Sequence, residues 1–288
     1  MKLIKYFFQS LIILFLFLIF RLIGYEKASN FGSILGKFLG KHIRSDKTIL
    51  KNILIINDGN NLNIKNLDEI VKNVFSNYGR ILSEYVYLKY FREGYLKKNV
   101  DIVGYKNLLD IKTNNKKVVF VSGHFNNFEL MAMFLEASGV NLATIYRPLN
   151  NVFLNKTMEN IRLKYICKNQ IRKGMTGSRE LIKFIKKNYS IALMIDQRVS
   201  EGIKCKLFGK PALTTTIPAQ IIKKFNYDIV PVYIERYEKI KFKLTINKPI
   251  KFDHKATTQE ITLKLNEILE NMILKNPTQW ILTHDRWK

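Results

Sequence analysis

The chain has 288 residues, 47% of them hydrophobic, so it can bury a large core and is not expected to be disordered. Lys and Arg total 48 against 23 Asp and Glu, which gives a formal net charge of +25. A charge of that size indicates anionic partners, namely nucleic acid, acidic lipid or an acidic protein, without choosing among them.

The first 25 residues predict a hydrophobic membrane-anchor helix. Residues 6–20 form an apolar run broken by two polar side chains and preceded by Lys2 and Lys5. The run is marginal for a full crossing, since about 20 apolar residues are needed to span a bilayer. A cleaved signal peptide has a similar start, but no small-x-small cleavage site follows, which favours an uncleaved anchor.

Positive charge flanks the anchor on both sides. Through residue 45 there are seven Lys or Arg and one acid, Glu26. Such flanks suit a tilted or monotopic anchor on an anionic leaflet better than a full crossing. We therefore predict an anchor over residues 1–25 and one globular domain over residues 26–288.

The globular domain begins with a helical pattern and continues with alternating strand and helix patterns. Apolar residues at three- and four-residue steps predict an amphipathic helix over residues 66–91. Three strands are predicted at "KVVFVS", "NLATIY" and "SIALMI", with helices through "NFELMAMFLEAS", residues 151–166 and "IPAQIIKKF". A hairpin is then predicted at "DIVPVYIE" and "FKLTIN", before a last helix at "TTQEITLKLNEILENMIL". The fold class is therefore α/β, with a central mostly parallel or mixed sheet covered by helices.

A histidine and an acid mark the end of the first of these strands. His124 follows "VVFVSG" directly, where ligands bind in a sheet covered by helices, and Gly123 allows a sharp turn. If His124 lies in that turn, its ring can fold back to Glu129. The carboxylate would then fix the tautomer and leave the other ring nitrogen as a general base. Spacing alone equally allows a histidine that caps the helix while Glu129 complements the helix dipole.

Neither a metal site nor a cofactor is predicted. The other three histidines have no motif spacing to His124. The two cysteines, Cys167 and Cys205, lie far apart without a second sulfur or a histidine at ligand spacing.

Five blocks, in order, carry a resemblance to a known family. They are "GHFNNFEL", "IYRPLNN", "RKGMTGSRELIKFIKKNYSIALMIDQRVSEGIKCKLFGKPALTTTIPAQI", "IVPVYIER" and "NPTQWILTHDRWK". The first resembles the H-x4-D/E motif of the glycerolipid acyltransferase superfamily, and the set resembles lipid A biosynthesis acyltransferases of the lauroyl and myristoyl transferase type. Asn126 and Phe128 depart from the usual glycine and tryptophan. Asp285 stands where the family has a cation, so no role is carried over to it.

The resemblance implies direct acyl transfer. A hydroxyl of a Kdo-bearing lipid A precursor would attack the thioester of an acylated acyl carrier protein, with no covalent enzyme intermediate. His124 would take the hydroxyl proton, and Glu129 would orient it. Asn127 and backbone amides of the following helix are candidates to stabilise the thioester oxygen, although an ordinary surface asparagine remains an equal alternative.

Basic residues are the candidates for binding anionic substrate. Arg147 ends the "NLATIY" strand and could bind a phosphate, or could close the strand in a surface ion pair. Residues 141–190 hold eleven Lys or Arg, including Arg172, against two acids. This stretch could contact the lipid phosphates and the acidic surface of acyl carrier protein.

The resemblance adds five further positions. Asp196 and Gln197 end the "SIALMI" strand and are expected to shape the site. Phe208, Gly209 and Thr214 match a family loop beside the active site.

The resulting prediction is a monotopic acyltransferase on the cytoplasmic face of the inner membrane. Its partners would be acyl carrier protein, an anionic lipid A precursor and inner-membrane lipid. One alternative is acylation of another lipid, such as a phosphatidylinositol mannoside or a lysophospholipid. A membrane-tethered nucleic-acid-binding protein would suit the charge, but it predicts a recognition helix or aromatic-studded basic patches that the sequence does not show.

Overall fold

The computed structural model describes residues 2–60, 62, 64 and 66–288, with Met175 described by its backbone alone. The helices are α1 (Lys2–Ile23), α2 (Tyr25–Ile43), α3 (Lys47–Asn57), α4 (Leu67–Glu84), α5 (Leu88–Arg92), α6 (Tyr105–Thr113), α7 (Glu129–Ala137), α8 (Val152–Ile161), α9 (Met175–Lys186), α10 (Ile217–Phe225) and α11 (Thr258–Lys275). The strands are β1 (Val100–Val103), β2 (Val118–Ser122), β3 (Leu142–Tyr146), β4 (Gln170–Arg172), β5 (Ser190–Met194), β6 (Ile203–Leu207), β7 (Lys210–Thr214), β8 (Asp228–Tyr237) and β9 (Lys241–Ile246).

Within these residues, seven strands form a central sheet in the order β1-β9-β8-β2-β5-β3-β4. The neighbours from β8 to β4 are parallel, and β9 runs antiparallel to β8. Strand β2 is buried along its whole length, as expected when helices cover both faces. The predicted α/β fold with a mostly parallel or mixed sheet is confirmed, including the hairpin of β8 and β9.

Three local predictions differ from the structure. The helix predicted over residues 66–91 ends at Glu84, and a 3₁₀ turn separates α4 from α5. The helix predicted over residues 151–166 becomes a π-helical turn at Arg162–Ile166. The segment "LFGKPALTTT", predicted as a loop, belongs to the separate antiparallel hairpin of β6 and β7. Exposed lysines alternate with buried apolar residues in β6, which makes this strand pattern less apolar than that of the central strands.

Helices α2 and α4 cross with their backbones in contact. A Cβ on Gly79 would lie 1.9 Å from the carbonyl oxygen of Gly32, and a Cβ on Gly32 would lie 2.3 Å from that of Gly79. Only glycine fits at such an approach. This crossing positions the C-terminal end of α4. Its last residue, Glu84, binds Asn127, and the next residue, Tyr85, binds Glu129, both of which follow β2.

Helix α1 is tied to the body at two places. The Asn151 side-chain N–H donates to the carbonyl oxygen of Tyr6 at 2.9 Å, and the Tyr87 hydroxyl donates to that of Phe20 at 2.5 Å. Phe17 and Phe20 are buried, whereas most other large apolar side chains of α1 are exposed.

In the part of the chain that the structure describes, α1 is the one helix long and apolar enough to cross a membrane. It ends at Ile23, and α2 follows from Tyr25. The division into an anchor over residues 1–25 and a domain over residues 26–288 stays a prediction.

Candidate active site

Four parallel strands end at the same edge of the sheet, beside a cavity of about 560 Å³. His124 follows β2, Gln197 follows β5, Arg147 follows β3 and Lys173 follows β4, and all four line the cavity. His124 and Arg147 therefore lie at one edge of the sheet, because β2, β5 and β3 are parallel.

The carboxylate that holds the imidazole of His124 is Asp196. Nδ1 of His124 lies 2.8 Å from Oδ1 of Asp196, and the backbone N–H of His124 donates to Oδ2 at 2.7 Å. The indole N–H of Trp280 donates to the same Oδ2 at 2.8 Å. Asp196 is fully buried, and its contacts arise because β2 and β5 are neighbours whose following residues meet.

The electrostatics of this pair favour a charged aspartate and a basic histidine. Burial lowers the pKa of His124, but the charge of Asp196 and its hydrogen bond outweigh burial and leave the pKa above its usual value. Burial raises the pKa of Asp196, and His124 with Trp280 brings it below its usual value. Nδ1 is thus the nitrogen that carries the proton towards Asp196, and Nε2 is left to accept a proton in the cavity.

The predicted contact between Glu129 and His124 is wrong. Oε1 of Glu129 accepts hydrogen bonds from the Tyr85 hydroxyl at 2.7 Å and from Nε of Arg162 at 2.8 Å, with Nη2 of Arg162 at 2.7 Å. The imidazole turns towards the adjacent strand, where Asp196 accepts from both its ring and its backbone. Whether Glu129 acts in the reaction stays a prediction.

Arg162 and Glu129 form an ion pair in the cavity wall. Both side chains line the cavity, with 14% and 8% of their surfaces exposed. Burial lowers the pKa of Arg162, but the charge of Glu129 raises it above its usual value, so the guanidinium stays charged. Arg162 begins the π-helical turn, an irregularity frequent at functional sites.

Close packing and backbone conformation explain the small and polar residues in the turn between β2 and α7. A Cβ on Gly123 would lie 2.9 Å from the Phe125 ring and 3.2 Å from Oδ2 of Asp196, so a larger residue would force these side chains to shift. Asn126 has φ of 43°, a conformation that asparagine tolerates better than most residues. Its side chain donates to Oε1 of Gln279 at 2.8 Å, so the C-terminal segment holds the turn in place.

The comparisons with known proteins identify the family. Residues 1–288 match the family described as "Bacterial lipid A biosynthesis acyltransferase". The chain belongs to this family. No curated protein matched the sequence. Among solved structures, the 1-acyl-sn-glycerophosphate (LPA) acyltransferase PlsC from Thermotoga maritima is similar at 15% identity and a TM-score of 0.45, over 88% of this chain and 99% of that chain.

The family confirms the resemblance found in the sequence. It makes the protein an acyltransferase of lipid A biosynthesis, which acts on a membrane lipid. The exposed apolar surface of α1 fits the membrane association that such a substrate requires.

The predicted polar residues of this acyltransferase differ in their distance from the cavity. Arg147 is exposed at the cavity mouth, and Gln197 lines the wall. Arg172 is exposed at the end of β4 without lining the cavity. Asn127 is buried and donates to Oε2 of Glu84 at 3.1 Å, so its predicted placement at the thioester oxygen is wrong. Neither Asn127 nor its partner Glu84 lines the cavity.

The three residues predicted beside the active site lie in or next to the β6–β7 hairpin and do not line the cavity. Phe208 is buried with its ring 6.4 Å from that of Trp287, and Gly209 completes the hairpin turn. Oγ1 of Thr214 accepts from Nη2 of Arg286 at 2.7 Å. These residues therefore belong to a strand hairpin rather than a loop, and their role beside the active site stays a prediction. The next residue, Thr215, does line the cavity.

Sequence reasoning missed the residues that complete the site from distant segments. Arg162 was only one of eleven cations in a basic stretch, and Tyr85 was one apolar position of a helix. Trp280 lay in a family block without any assigned role. The block itself was the only signal for Trp280, because its contact with Asp196 joins residues 84 positions apart.

Proposed function

We propose that this acyltransferase transfers a fatty acyl chain from acyl carrier protein to a hydroxyl of a Kdo-bearing lipid A precursor. The observation that carries the proposal is the His124–Asp196 pair at the wall of the large cavity. The family supports lipid A biosynthesis as the setting. The acyl carrier protein and the Kdo-bearing acceptor are inferred from the cationic surface and the family resemblance.

The chemistry is a single displacement at a thioester carbonyl. Nε2 of His124 takes the proton of the acceptor hydroxyl as the oxygen attacks the carbonyl carbon. A C–O bond forms and the C–S bond breaks, and the proton on His124 passes to the departing thiolate. Asp196 stabilises the imidazolium between these two proton transfers, as the buried acid of a catalytic triad does. The products are an acyl ester and a free thiol.

Arg162 is placed to stabilise the negative charge that develops on the thioester oxygen. Two of its nitrogens bind Glu129, and the guanidinium also lines the cavity. A preorganised donor of this kind is worth about 3–4 kcal/mol of transition-state stabilisation. Glu129 then acts as a positioning residue for Arg162, in place of its earlier expected role towards His124.

The cavity walls and mouth suit the two ends of a lipid. Its apolar walls come from the sheet, α7 and the π-helical turn, as an acyl chain requires; they include Phe120, Met131, Leu135, Ile145, Ile166 and Leu193. Arg147 and Lys173 supply cations at the mouth for phosphate groups. Arg172, exposed next to Lys173, extends this charge towards an acidic donor protein.

The attachment of α1 supports a monotopic enzyme on the cytoplasmic face of the inner membrane. A helix that crossed the bilayer would leave the body, but α1 is bound near Tyr6 and again near Phe20. Its exposed apolar side chains can then lie within one leaflet. The cytoplasmic face is the side on which acyl carrier protein would deliver the donor.

Mass spectrometry of lipid A tests the proposed acceptor. Cells lacking the protein should contain lipid A lighter by one fatty acyl group, and expression of the wild-type chain should restore the mass. The His124→Ala chain, expressed to the same level, should not restore it. Unchanged lipid A with loss of an acyl group from another glycolipid or phospholipid would contradict the proposed acceptor while retaining acyl transfer.

The pH profile should report the ionisation of His124. A general base must be neutral, so kcat/KM is expected to rise with pH and level off above the pKa of His124, which Asp196 raises above its usual value despite burial. In Asp196→Asn the raising charge is lost and burial remains, so the midpoint of the residual activity should move to lower pH.

The control for this profile is Asp228→Asn, since Asp228 begins β8 at the opposite end of the strand from the site. It should keep the wild-type midpoint when initial rates are measured across the same pH series. An Asp196→Asn midpoint equal to that of the wild type would show that His124 is not the titrating base.

A further inference from the structure

The start of α8 carries two exposed apolar side chains, one of which contacts α1. Val152 is 57% exposed and Phe153 is 45% exposed. The Phe153 ring lies edge-on to Phe7 of α1 with centroids 5.6 Å apart. Asn151, the N-cap residue of α8, accepts a hydrogen bond from the Ser10 hydroxyl at 3.0 Å. The same side-chain oxygen caps α8. The apolar surface of α1 therefore continues onto α8.

The same segment forms part of the cavity mouth. We call residues 147–153 the mouth loop; its first four residues line the cavity, and its last two are the exposed apolar pair. The surface that continues from α1 thus ends at the opening of the active site. A lipid held beside α1 would lie next to that opening.

The charges around the mouth loop match an anionic leaflet. Residues 2–23 contain Lys2, Lys5 and Arg21 and no acid, and residues 141–158 contain Arg147 and Lys156 and no acid. Lys2, Lys5, Arg147 and Lys156 are exposed. Cations around an exposed apolar surface are typical of segments that lie in the interface of a membrane with acidic lipids.

We infer that the mouth loop inserts into the same leaflet as α1, so that the cavity opens sideways into the bilayer and the acceptor lipid enters without leaving the membrane. Val152 and Phe153 lie among the acyl chains, and Arg147 lies at the level of the phosphates. This rests on the proposed function only in taking the acceptor to be a membrane lipid. It does not depend on the identity of the headgroup.

Depth-dependent fluorescence quenching tests this placement. Phe153→Cys in the full chain is labelled with an environment-sensitive nitrobenzoxadiazole dye and bound to vesicles of phosphatidylethanolamine and phosphatidylglycerol with brominated acyl chains. The native thiols, Cys167 and Cys205, are buried, and burial raises the pKa of Cys167 to about 11, so labelling is selective. Phe8→Cys on α1 reports the membrane position.

The matched control is Ile182→Cys on α9, since Ile182 is 45% exposed, as Phe153 is. The Phe153 label should be quenched to the same extent as the Phe8 label and at least about threefold more than the Ile182 label, because an interfacial segment lies about 5–10 Å into the headgroup and acyl boundary.

Three results would overturn the inference. One is a Phe153 label no more quenched than the Ile182 label while the Phe8 label is quenched. Another is equal quenching at all three positions. The third is shielding of the Phe153 label only after addition of acyl carrier protein, which would make the loop a protein contact. No acyl donor is present in the basic measurement, so these results do not depend on which lipid the enzyme acylates.

Discussion

Replacement of His124 by alanine is expected to slow acyl transfer by about 10²- to 10⁴-fold, the usual contribution of a positioned general base. The imidazole is the group at the cavity wall whose basicity Asp196 raises. Asp196→Asn should cause a comparable loss, because a neutral amide neither fixes the reactive tautomer as firmly nor stabilises the imidazolium. The measurement is the initial rate of thiol release from acyl carrier protein by the purified full chain in detergent.

Folding must be separated from chemistry in this experiment. In His124→Ala the buried Asp196 keeps the backbone N–H of residue 124 and the Trp280 indole as donors. His124→Asn also offers a side-chain N–H to Asp196 but has no basic nitrogen, so it should fold and remain equally inactive. His254→Ala, at an exposed histidine, should keep wild-type activity. Most of the activity surviving in both His124 variants would exclude the proposed base.

Glu129→Gln distinguishes the two carboxylates. The variant weakens the ion pair with Arg162 but leaves the His124–Asp196 contact intact. Its rate should fall, and the midpoint of its pH profile should move to lower pH by less than in Asp196→Asn, because the charge of Glu129 raises the pKa of His124 less than Asp196 does. A shift of the pH midpoint as large as that of Asp196→Asn would instead support the role that the sequence indicated for Glu129, which is to orient His124.

Replacement of Glu84 by glutamine is expected to destabilise the fold by about 3–5 kcal/mol, the usual effect of breaking a buried ion pair. Glu84 is fully buried and binds Arg236 through both oxygens, at 2.6 and 2.8 Å. It also accepts from Ser29 on α2 and Asn127 in the turn after β2. A neutral amide would leave the buried guanidinium without a compensating charge.

Urea unfolding of the full chain in detergent micelles measures this effect. Glu235→Gln on β8, beside Arg236, is the control, because its partner Lys243 is 46% exposed and such pairs contribute less than about 1 kcal/mol. The double variant Glu84→Leu with Arg236→Met removes both charges and should be more stable than Glu84→Gln. Equal unfolding midpoints for Glu84→Gln and Glu235→Gln would contradict the expected contribution of the Glu84–Arg236 pair to the free energy of unfolding.

Three strands of the central sheet were predictable because their signals are local. "KVVFVS", "NLATIY" and "SIALMI" are short β-branched runs, and each is a strand of the central sheet. Strand β4 has three residues and β6 alternates lysine with apolar positions, so neither presents a continuous apolar run. Both are stabilised by pairing with a neighbour rather than by their own composition.

The site was only partly predictable, because its contacts are long-range. His124 and Arg147 could be placed at one edge, since parallel strands bring their carboxyl ends together. The sequence indicated Glu129 as the partner of the imidazole and Asp196 only as a residue that shapes the site. Arg162 and Tyr85 bind Glu129 instead, and neither contact has a sequence signal.

The sequence by itself determined an apolar first helix, an α/β body, a histidine at a strand end and membership in the lipid A acyltransferase family. These features depend on residue type and on apolar periodicities of two and 3.6 residues, and both can be seen within a short stretch of sequence. The tertiary structure decided which acid faces His124, that the β6–β7 hairpin does not line the cavity and that α1 lies against the start of α8. Those outcomes depend on strand order and on packing between residues such as His124 and Asp196, 72 positions apart, where local pattern has no influence.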